Sequence, residues 1–384
     1  MTVLPNRRER VSQVFQQRFQ AAPTVWARAP GRVDLMGSHT DYNLGYVLTL
    51  PIGRDAWIAA RPRADRMVRM YSVNLDAESR FTLDGIQPDA DQRWSNYLRG
   101  VAAVLQGEGY ALRGFDGVLH GTVPISSGLS SSAALECVTA VVFQALGGWT
   151  LDAVRMALLC QRAENQFVGV NCGILDQYTS CLGQAGCALL LDCRDLSSRP
   201  VTLAPGLQVV ICDTRSKREL AGSEYGTRRA QCEQGAQLLG VRALRDVTPA
   251  AFEPAAARLP AEVAKRCRFI VEENARVLQL AGALAEGDRA AIRQLMADSF
   301  RGACELFEIG APAMHAMLDA IRSAPGVIGA RQAGAGFGGC LVAIVERPQV
   351  ESFTQAVGAA YFRQTQIQPE VYAVEAAAGA GLLP

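Results

Sequence analysis

Apolar and polar positions alternate along the first part of the chain, whereas helical spacing dominates the second part. Residues 24–37 alternate as a half-buried strand does, and the apolar runs 45–52 and 56–63 predict a hairpin. An apolar run at 207–214 predicts the start of another sheet, and several helices are expected across 216–323. Strands first, helices later and one last apolar strand near the end predict an α+β fold with two lobes.

A turn-rich stretch, SSRPVTLAPG, interrupts these patterns near residue 200. Its prolines and its glycine favour a connection over a helix or a strand. The length of 384 residues allows two or three domains that each bury a core of their own. We therefore predict an N-terminal lobe over residues 1–200 and a C-terminal lobe over residues 201–384.

Composition and charge narrow the class of function. The chain has 38 basic and 37 acidic residues, so its net charge of +1 favours neither a nucleic acid nor a membrane surface as partner. Its eleven cysteines include no C-x-x-C pair, which is typical of buried free thiols in a reducing compartment. No apolar run approaches the ~18 residues of a membrane span, and the N-terminal residues lack an apolar targeting segment. We therefore expect a soluble, cytoplasmic protein.

The segment 124–134, PISSGLSSSAA, joins a predicted strand to a strong helix. Serines at a helix start offer hydroxyls and free backbone N–H groups to a phosphate. The same serines could instead cap the helix in a flexible turn, and the residues alone leave both interpretations open. Neither Lys217 nor Lys265 has the context of a Walker lysine, which excludes that type of phosphate loop. The helix has an apolar face and a glycine stop, formed by Leu135, Val138, Val142, Leu146, Gly147 and Gly148.

Two further segments are rich in glycine or in polar residues. Residues 334–339, GAGFGG, match G-x-G-x-x-G, but an apolar strand follows them at once, whereas a dinucleotide fingerprint needs a helix there. A glycine hairpin that lets the backbone approach a ligand or another loop closely fits better. Residues 31–43, GRVDLMGSHTDYN, combine a cation, two carboxylates and a histidine. That combination suits either a sugar site or an exposed loop.

Together, these three segments resemble the galactokinase branch of the GHMP sugar and isoprenoid kinases. Residues 31–43 are similar to the signature G-R-V-N-L-I-G-E-H-T-D-Y-N, and residues 124–134 to the ATP motif P-x-x-x-G-L-S-S-S-A. Residues 329–340 resemble the third motif, G-A-R-x-T-G-A-G-F-G-G-C, and the segment ENQFVGVNCGILDQ at 164–177 is similar as well. The resemblance implies a two-lobed GHMP kinase fold with the active site in the cleft between the lobes. It also implies phosphorylation of the anomeric hydroxyl of D-galactose by ATP.

The resemblance further implies roles for single residues. It implies that Asp176 faces the anomeric hydroxyl as the catalytic carboxylate, and that Arg32 steadies this carboxylate and the transferring phosphoryl group. It implies Mg²⁺ as a cofactor beside ATP, bound by Ser132 and Glu164, whose oxygens suit a hard cation. The implied sugar ligands are Ser38, His39, Asp41, Gly173 and Tyr225. The residues implied around the ATP phosphates are Ser126, Ser127, Gly128, Leu129, Ser130, Ser131, Ser132 and Ala133.

Two polar positions depart from the family signature. Ser38 stands where galactokinases carry glutamate, and Asp34 stands where they carry asparagine. In the family that glutamate helps to hold the outer hydroxyls of the sugar near C6, so serine leaves space and removes a charge there. D-Galacturonate and L-arabinose therefore stay open as alternative substrates, although an inward-facing Asp34 disfavours an anionic sugar.

A different class, a sensor that binds ATP and sugar without turnover, is a further alternative. The sequence mark of such a sensor is damage to the serine loop or loss of the catalytic carboxylate, and this chain keeps the loop and Asp176. We therefore expect an enzyme with a small-molecule sugar as its partner, present as a monomer or a weak homo-oligomer.

Overall fold

The computed structural model describes residues 7–125, 127–216 and 221–384, whose strands form one sheet of eight strands and one of four. The strands of the larger sheet are β1 (Val25–Met36), β2 (Tyr46–Pro62), β3 (Met67–Ser72), β4 (Ala77–Thr82), β5 (Phe115–Gly121), β6 (Cys187–Asp192), β7 (Ser198–Thr202) and β12 (Gly381–Leu382). The strands of the smaller sheet are β8 (Leu207–Asp213), β9 (Val327–Gln332), β10 (Cys340–Glu346) and β11 (Glu370–Val374).

The helices lie mostly after the first strands, as the periodicity predicts, and the two-lobed α+β class is confirmed. Their bounds are α1 (Arg7–Phe19), α2 (Asn96–Gly107), α3 (Ser131–Gly147), α4 (Ala153–Ala163), α5 (Leu175–Leu182), α6 (Ala221–Leu239), α7 (Pro249–Ala256), α8 (Ala261–Glu286), α9 (Arg289–Glu305), α10 (Pro312–Arg322) and α11 (Val350–Thr365). Among the described residues, no helix is both long and apolar enough to cross a membrane. All eleven cysteines are described, and none of them forms a disulfide bond.

The hairpin predicted for 45–63 is wrong, because this segment is the single long strand β2. The first half of β2 pairs with β6 and its second half pairs with β5. Strand β1 runs antiparallel along both halves, with a register shift between Pro30 and Arg32. Since β1 supplies partners on either side of Gly53, the backbone there continues as an extended strand instead of reversing.

Strand β7, which ends at Thr202, belongs to the larger sheet, whereas β8, which begins at Leu207, belongs to the smaller sheet. This change lies close to the boundary predicted near residue 200. The short last strand β12 nevertheless returns to the larger sheet, where it pairs with β1 at Ala27 and Arg28. The division into 1–200 and 201–384 therefore stays a prediction for the domains.

Helix α3 packs against β1 and β2 and is buried over most of its length. Its predicted apolar face is buried in full, and its other sides are also covered by neighbouring helices. The helix ends as predicted, at Gly147, and Gly148 adopts a left-handed conformation with φ of 70°. A helix so enclosed has little freedom to shift, so the loop that precedes it is held in place.

Helix α5 is tied to the two central strands by buried hydroxyl groups. The Ser180 hydroxyl donates to the Pro30 carbonyl of β1 at 2.7 Å, and Thr179 and Thr49 of β2 share a hydrogen bond of 2.8 Å. All three side chains are buried. These contacts fix the position of α5 relative to β1, because each lost bond would leave a buried polar atom without a partner.

Replacing Ser180 with alanine tests this anchor. The buried Pro30 carbonyl loses its donor, and we expect the free energy of unfolding to fall by about 1–3 kcal/mol in urea titrations. Ser352→Ala, which removes an exposed hydroxyl from α11, serves as the control and should change stability by less than about 0.5 kcal/mol. Equal losses in the two variants would contradict the anchoring role of Ser180.

Candidate active site

A buried arginine and a partly exposed aspartate form the centre of the candidate site. Arg32 on β1 donates its Nε to Asp176 Oδ1 at 2.9 Å and adds a second contact through Nη2. Asp176 lies in the first turn of α5, where the helix dipole favours a negative charge. Its side chain is 26% exposed against 7% for Arg32, so the carboxylate keeps an open side towards solvent.

The serine loop closes around this pair. Ser130 donates its hydroxyl to Asp176 Oδ2 at 2.6 Å, and Arg32 Nη1 donates to the Gly128 carbonyl at 2.6 Å. Ser130 adopts a left-handed conformation, with φ of 60°, immediately before α3. That conformation costs a non-glycine residue about 1–2 kcal/mol, and the hydrogen bond to Asp176 stabilises it.

The remaining loop residues lie where a phosphate loop needs them. Ser131 and Ser132 begin α3 and are half-buried, while Leu129 and Ala133 pack into the core. The Ser127 hydroxyl donates to the Pro124 carbonyl at 2.9 Å, which closes the turn. The first backbone N–H groups of α3 have no partner within the helix, so the loop presents donors at the positive end of a helix dipole. Ser126 lies outside the residues that the structure describes.

The glycine segment 334–339 connects β9 to β10, so it is a hairpin loop and not a dinucleotide fingerprint. A Cβ on Gly334 would lie 3.4 Å from the Gly128 carbonyl oxygen, which places this loop against the serine loop. The Ala335 carbonyl also lies 3.0 Å from His39 Nε2. The predicted close approach of two backbone stretches is confirmed.

His39 is buried among aromatic rings instead of facing open space. Its Nδ1 lies 2.9 Å from the Tyr42 hydroxyl, and its ring centroid lies 5.1 Å from that of Tyr225 and 4.8 Å from that of Phe307. Burial lowers the pKa of His39 to about 4, so the ring is neutral near pH 7. Both ring nitrogens have protein partners, so His39 connects this group of aromatic rings to the loop that contains Ala335.

Asp41 and Gly173 come together from distant parts of the sequence. The Asp41 carboxylate accepts the Tyr42 backbone N–H at 2.9 Å and also the backbone N–H of Leu175 at the start of α5. A Cβ on Gly173 would overlap this carboxylate, so only glycine fits there. Burial, together with the nearby negative charge of Asp176, raises the pKa of Asp41 to about 6.

Glu164 lies beside this centre in a π-helical turn (Glu164–Val168) that follows α4. Its Oε2 accepts the Gln177 amide at 2.6 Å, and the Cys172 thiol lies 3.3 Å away. Burial and the Asp176 charge raise the pKa of Glu164 to about 7. The side chain therefore carries only part of its negative charge at neutral pH until a cation lies close by.

Three matches to family models cover most of the described site. Residues 13–62 match the galactokinase galactose-binding signature, residues 96–184 match the GHMP kinases N terminal domain, and residues 280–364 match the GHMP kinases C terminal model. The first match contains Arg32 and His39, and the second contains the serine loop and Asp176.

A curated galactokinase from Chloroflexus aggregans is 44% identical to this chain over 375 residues, which cover 96% of the chain and 95% of that protein. This chain belongs to the galactokinase family. The crystal structure of Lactococcus lactis galactokinase complexed with galactose superposes with a TM-score of 0.92 at 31% identity, covering 97% of this chain and 98% of that one. Mevalonate kinase from Methanococcus jannaschii, at 15% identity and a TM-score of 0.67, shares the fold.

Sequence reasoning missed Glu136, which lies in this galactokinase site behind Glu164. The side chain of Glu136 is fully buried on α3, and the Gln177 amide donates to its Oε2 at 2.8 Å while it also donates to Glu164. Burial, followed by the Glu164 charge, raises the pKa of Glu136 well above its usual range. A glutamate inside the apolar pattern of α3 was the signal that could have revealed it.

Sequence reasoning also gave no role to Arg331 and did not notice Glu273. Arg331 lies on β9 just before the glycine loop, and Glu273 lies on α8. Both side chains are fully buried, and they contact each other across 3.3 Å. Ser38, which lies within the galactokinase signature, contacts Arg331 directly. Arg331 and Glu273 therefore lie behind the residues of that signature.

Replacing Gly173 with alanine tests the close approach to Asp41. The added methyl group overlaps the carboxylate, so we expect the free energy of unfolding to fall by about 1–3 kcal/mol. The control is Gly358→Ala in α11, where a Cβ meets nothing within 4 Å. That control should raise stability by about 0.5–1 kcal/mol, because alanine favours a helix. A neutral or stabilising Gly173→Ala would contradict the described contact.

The raised pKa of Glu164 predicts that the free energy of unfolding falls as the pH rises. Its pKa is about 7 in the folded protein against an ordinary value of 4.5, so the folded state binds more protons between these values. Stability is therefore lost as the pH rises through this window, by up to about 3 kcal/mol. We expect ligand-free Glu164→Gln to lack this loss and to melt at a higher temperature than the parent at pH 8.

The control for this comparison is Glu286→Gln at the exposed end of α8. Subtracting the parent's stability from that of each variant removes the contributions of all other titrating groups. The difference should grow with pH for Glu164→Gln and stay flat for Glu286→Gln. Flat differences for both variants would exclude a raised pKa at Glu164.

Proposed function

We propose that this chain transfers the γ-phosphoryl group of ATP to the anomeric hydroxyl of D-galactose, giving galactose 1-phosphate and ADP. The observation that carries the proposal is the Asp176 carboxylate, held between Arg32 and Ser130 beside the serine loop. Family membership supports it, because the relative from C. aggregans is a galactokinase and the L. lactis enzyme was solved with galactose.

The chemistry follows from the two partners of Asp176. A carboxylate within reach of the sugar hydroxyl accepts its proton or orients it, while a new bond forms between the sugar oxygen and the γ-phosphorus. The bond from that phosphorus to the ADP oxygen breaks in the same transfer. Arg32 holds Asp176 in place and would contribute positive charge where negative charge is spread over the transferring group.

ATP is the phosphoryl donor in this proposal, and residues 127–133 would hold its phosphates. The unpaired N–H groups at the start of α3 and the hydroxyls of Ser131 and Ser132 are suited to phosphate oxygens. This loop contains no lysine, so the neutralising charge has to come from Arg32 and from a bound cation.

Mg²⁺ fits the site, with Ser132 and Glu164 as its proposed protein ligands. The Ser132 hydroxyl hydrogen-bonds to Glu164, so the two oxygen donors are neighbours. An Mg²⁺ ion held by these two protein oxygens would complete its coordination with water and ATP oxygens. Burial, followed by the nearby charge of Asp176, raises the pKa of Glu164 to about 7. A bound Mg²⁺ would supply charge neutralisation for the phosphates.

The described catalytic groups favour an enzyme over a sensor. Arg32, Asp176 and Ser130 are connected by direct hydrogen bonds, so no part of the proposed transfer machinery is damaged. Ser38 and Asp34 are both buried beside the proposed sugar site.

The test of the proposed function is Asp176→Ala in a coupled ADP-release assay with Mg-ATP and D-galactose. We expect kcat to fall by about 100- to 10,000-fold because proton acceptance and positioning are lost, while calorimetry still detects ATP binding. The control is Asp319→Ala on α10, an exposed carboxylate. Turnover near that of the parent in Asp176→Ala would contradict the role of Asp176.

A further inference from the structure

A buried arginine organises one wall of the candidate site. Arg331 donates its Nε to the Ser299 hydroxyl at 2.9 Å and its Nη2 to the Ser38 hydroxyl at 2.9 Å. Its Nη1 lies 3.4 Å from Asp34 Oδ2, and its Nη2 lies 3.3 Å from Glu273 Oε1. All five side chains are buried, and they come from α8, α9, β9, β1 and the turn after β1.

The hydroxyl of Ser38 is fully engaged as a donor. It gives its proton to Asp34 Oδ2 at 2.5 Å, and its oxygen accepts Arg331 Nη2. A serine oxygen has two lone pairs, so one acceptor position is left over. Ser38 can therefore accept a hydrogen bond from a sugar hydroxyl, and it cannot donate one without losing its contact with Asp34.

Asp34 also has an unused acceptor. Its Oδ1 is buried and has no hydrogen-bond partner among the described residues. Asp34 lies two residues after Arg32 on β1, so the two side chains leave the strand on the same side. Arg32 contacts Asp176 there. The free oxygens of Asp34 and Ser38 thus lie on the side of the strand that carries the catalytic pair.

The charges in this wall are balanced. Arg331 and Arg276 face Glu273 and Asp34, with Arg276 Nε 2.8 Å from Glu273 Oε2. Burial acts to raise the pKa of Glu273, but the two arginines outweigh it and lower that pKa. Burial also raises the pKa of Asp34, and there it outweighs the attraction of Arg331. One more buried carboxylate would have no cation to pair with and would be costly.

The two polar departures from the galactokinase signature fall within this one cluster. The signature has asparagine at position 34 and glutamate at position 38, whereas this chain has aspartate and serine. The number of carboxylates at the two positions is the same, and only their location differs. Since Asp34 and Ser38 contact each other and both contact Arg331, the two substitutions are physically coupled.

We propose that Asp34 and Ser38 act as one specificity-determining unit, in which the carboxylate has moved from position 38 to position 34. The unit keeps Arg331 neutralised, accepts hydroxyl hydrogens from an uncharged sugar, and rejects a sugar that carries a carboxylate at this wall. This inference rests on the proposed function, and it names D-galactose over D-galacturonate as the substrate class.

A double-mutant cycle tests the coupling with Ser38→Glu, Asp34→Asn and the Asp34→Asn/Ser38→Glu double variant. Ser38→Glu adds a third carboxylate around Arg331, and Asp34→Asn removes one of the two carboxylates that neutralise it, so each single variant should lose about tenfold in kcat/KM for galactose. The double variant restores the charge balance and should return to within about threefold of the parent. Most of the change should fall on KM, since the hydrogen bonds described for Ser38, Asp34 and Arg331 do not include Asp176.

Melting temperatures of the four proteins give a second readout that does not need turnover. If the parent shows no activity on galactose but the melting temperatures are non-additive, the proposed function fails and the coupled unit stands. If galactose is turned over and the effects of the two substitutions on kcat/KM and on the melting temperature are simply additive, the coupled unit is overturned. Asp116→Asn, which removes a buried carboxylate paired with Arg63 and Arg69, is the control for general loss of a charge.

The ratio of kcat/KM for D-galactose to that for D-galacturonate tests the proposed specificity directly. The parent should favour D-galactose over D-galacturonate by about 100-fold or more in kcat/KM, because a second anion beside Asp34 has no partner. Asp34→Asn should narrow that ratio by about tenfold, since it removes the repelling charge. A parent that prefers D-galacturonate, or a ratio unchanged by Asp34→Asn, would overturn the assigned specificity.

Discussion

The contact between Arg32 and Asp176 is the constraint on which the rest of the site depends. It joins the central strand β1 to the start of α5, and Ser130 and Gly128 bring the serine loop to the same point. Because the guanidinium is buried, removing either partner would leave a charge without compensation. The core around α3 and the hydroxyl anchor at Ser180 hold these elements in register, so catalytic geometry and folding share the same contacts.

Negative charge is concentrated around this contact. Asp41, Glu164 and Glu136 all have pKa values raised by burial, and each lies close to another carboxylate. The ligand-free protein therefore bears an electrostatic cost that a cation can offset. Under the proposed function, a bound cation would take the place of a lysine in offsetting the charge of the phosphates.

The wall built on Arg331 is separate from the transfer chemistry and connected to it through β1. Arg32 and Asp34 leave the same strand two residues apart, one towards Asp176 and the other towards Ser38 and Arg331. A change in this wall can therefore leave the contact between Arg32 and Asp176 intact. The paired substitutions at positions 34 and 38 keep the buried charge constant, which any change of specificity here must also do.

The sequence alone determined the fold class, the family and the three site segments, because these depend on local patterns and on motif order. It failed where distant segments compete for partners. The Gly53 region became part of one long strand since β1 pairs on both sides of it. Glu136, Glu273 and Arg331 gained their roles only through burial against residues far away in the chain. Only the tertiary structure could decide that Asp34 and Ser38 share one cation, since spacing carries no information about Arg331.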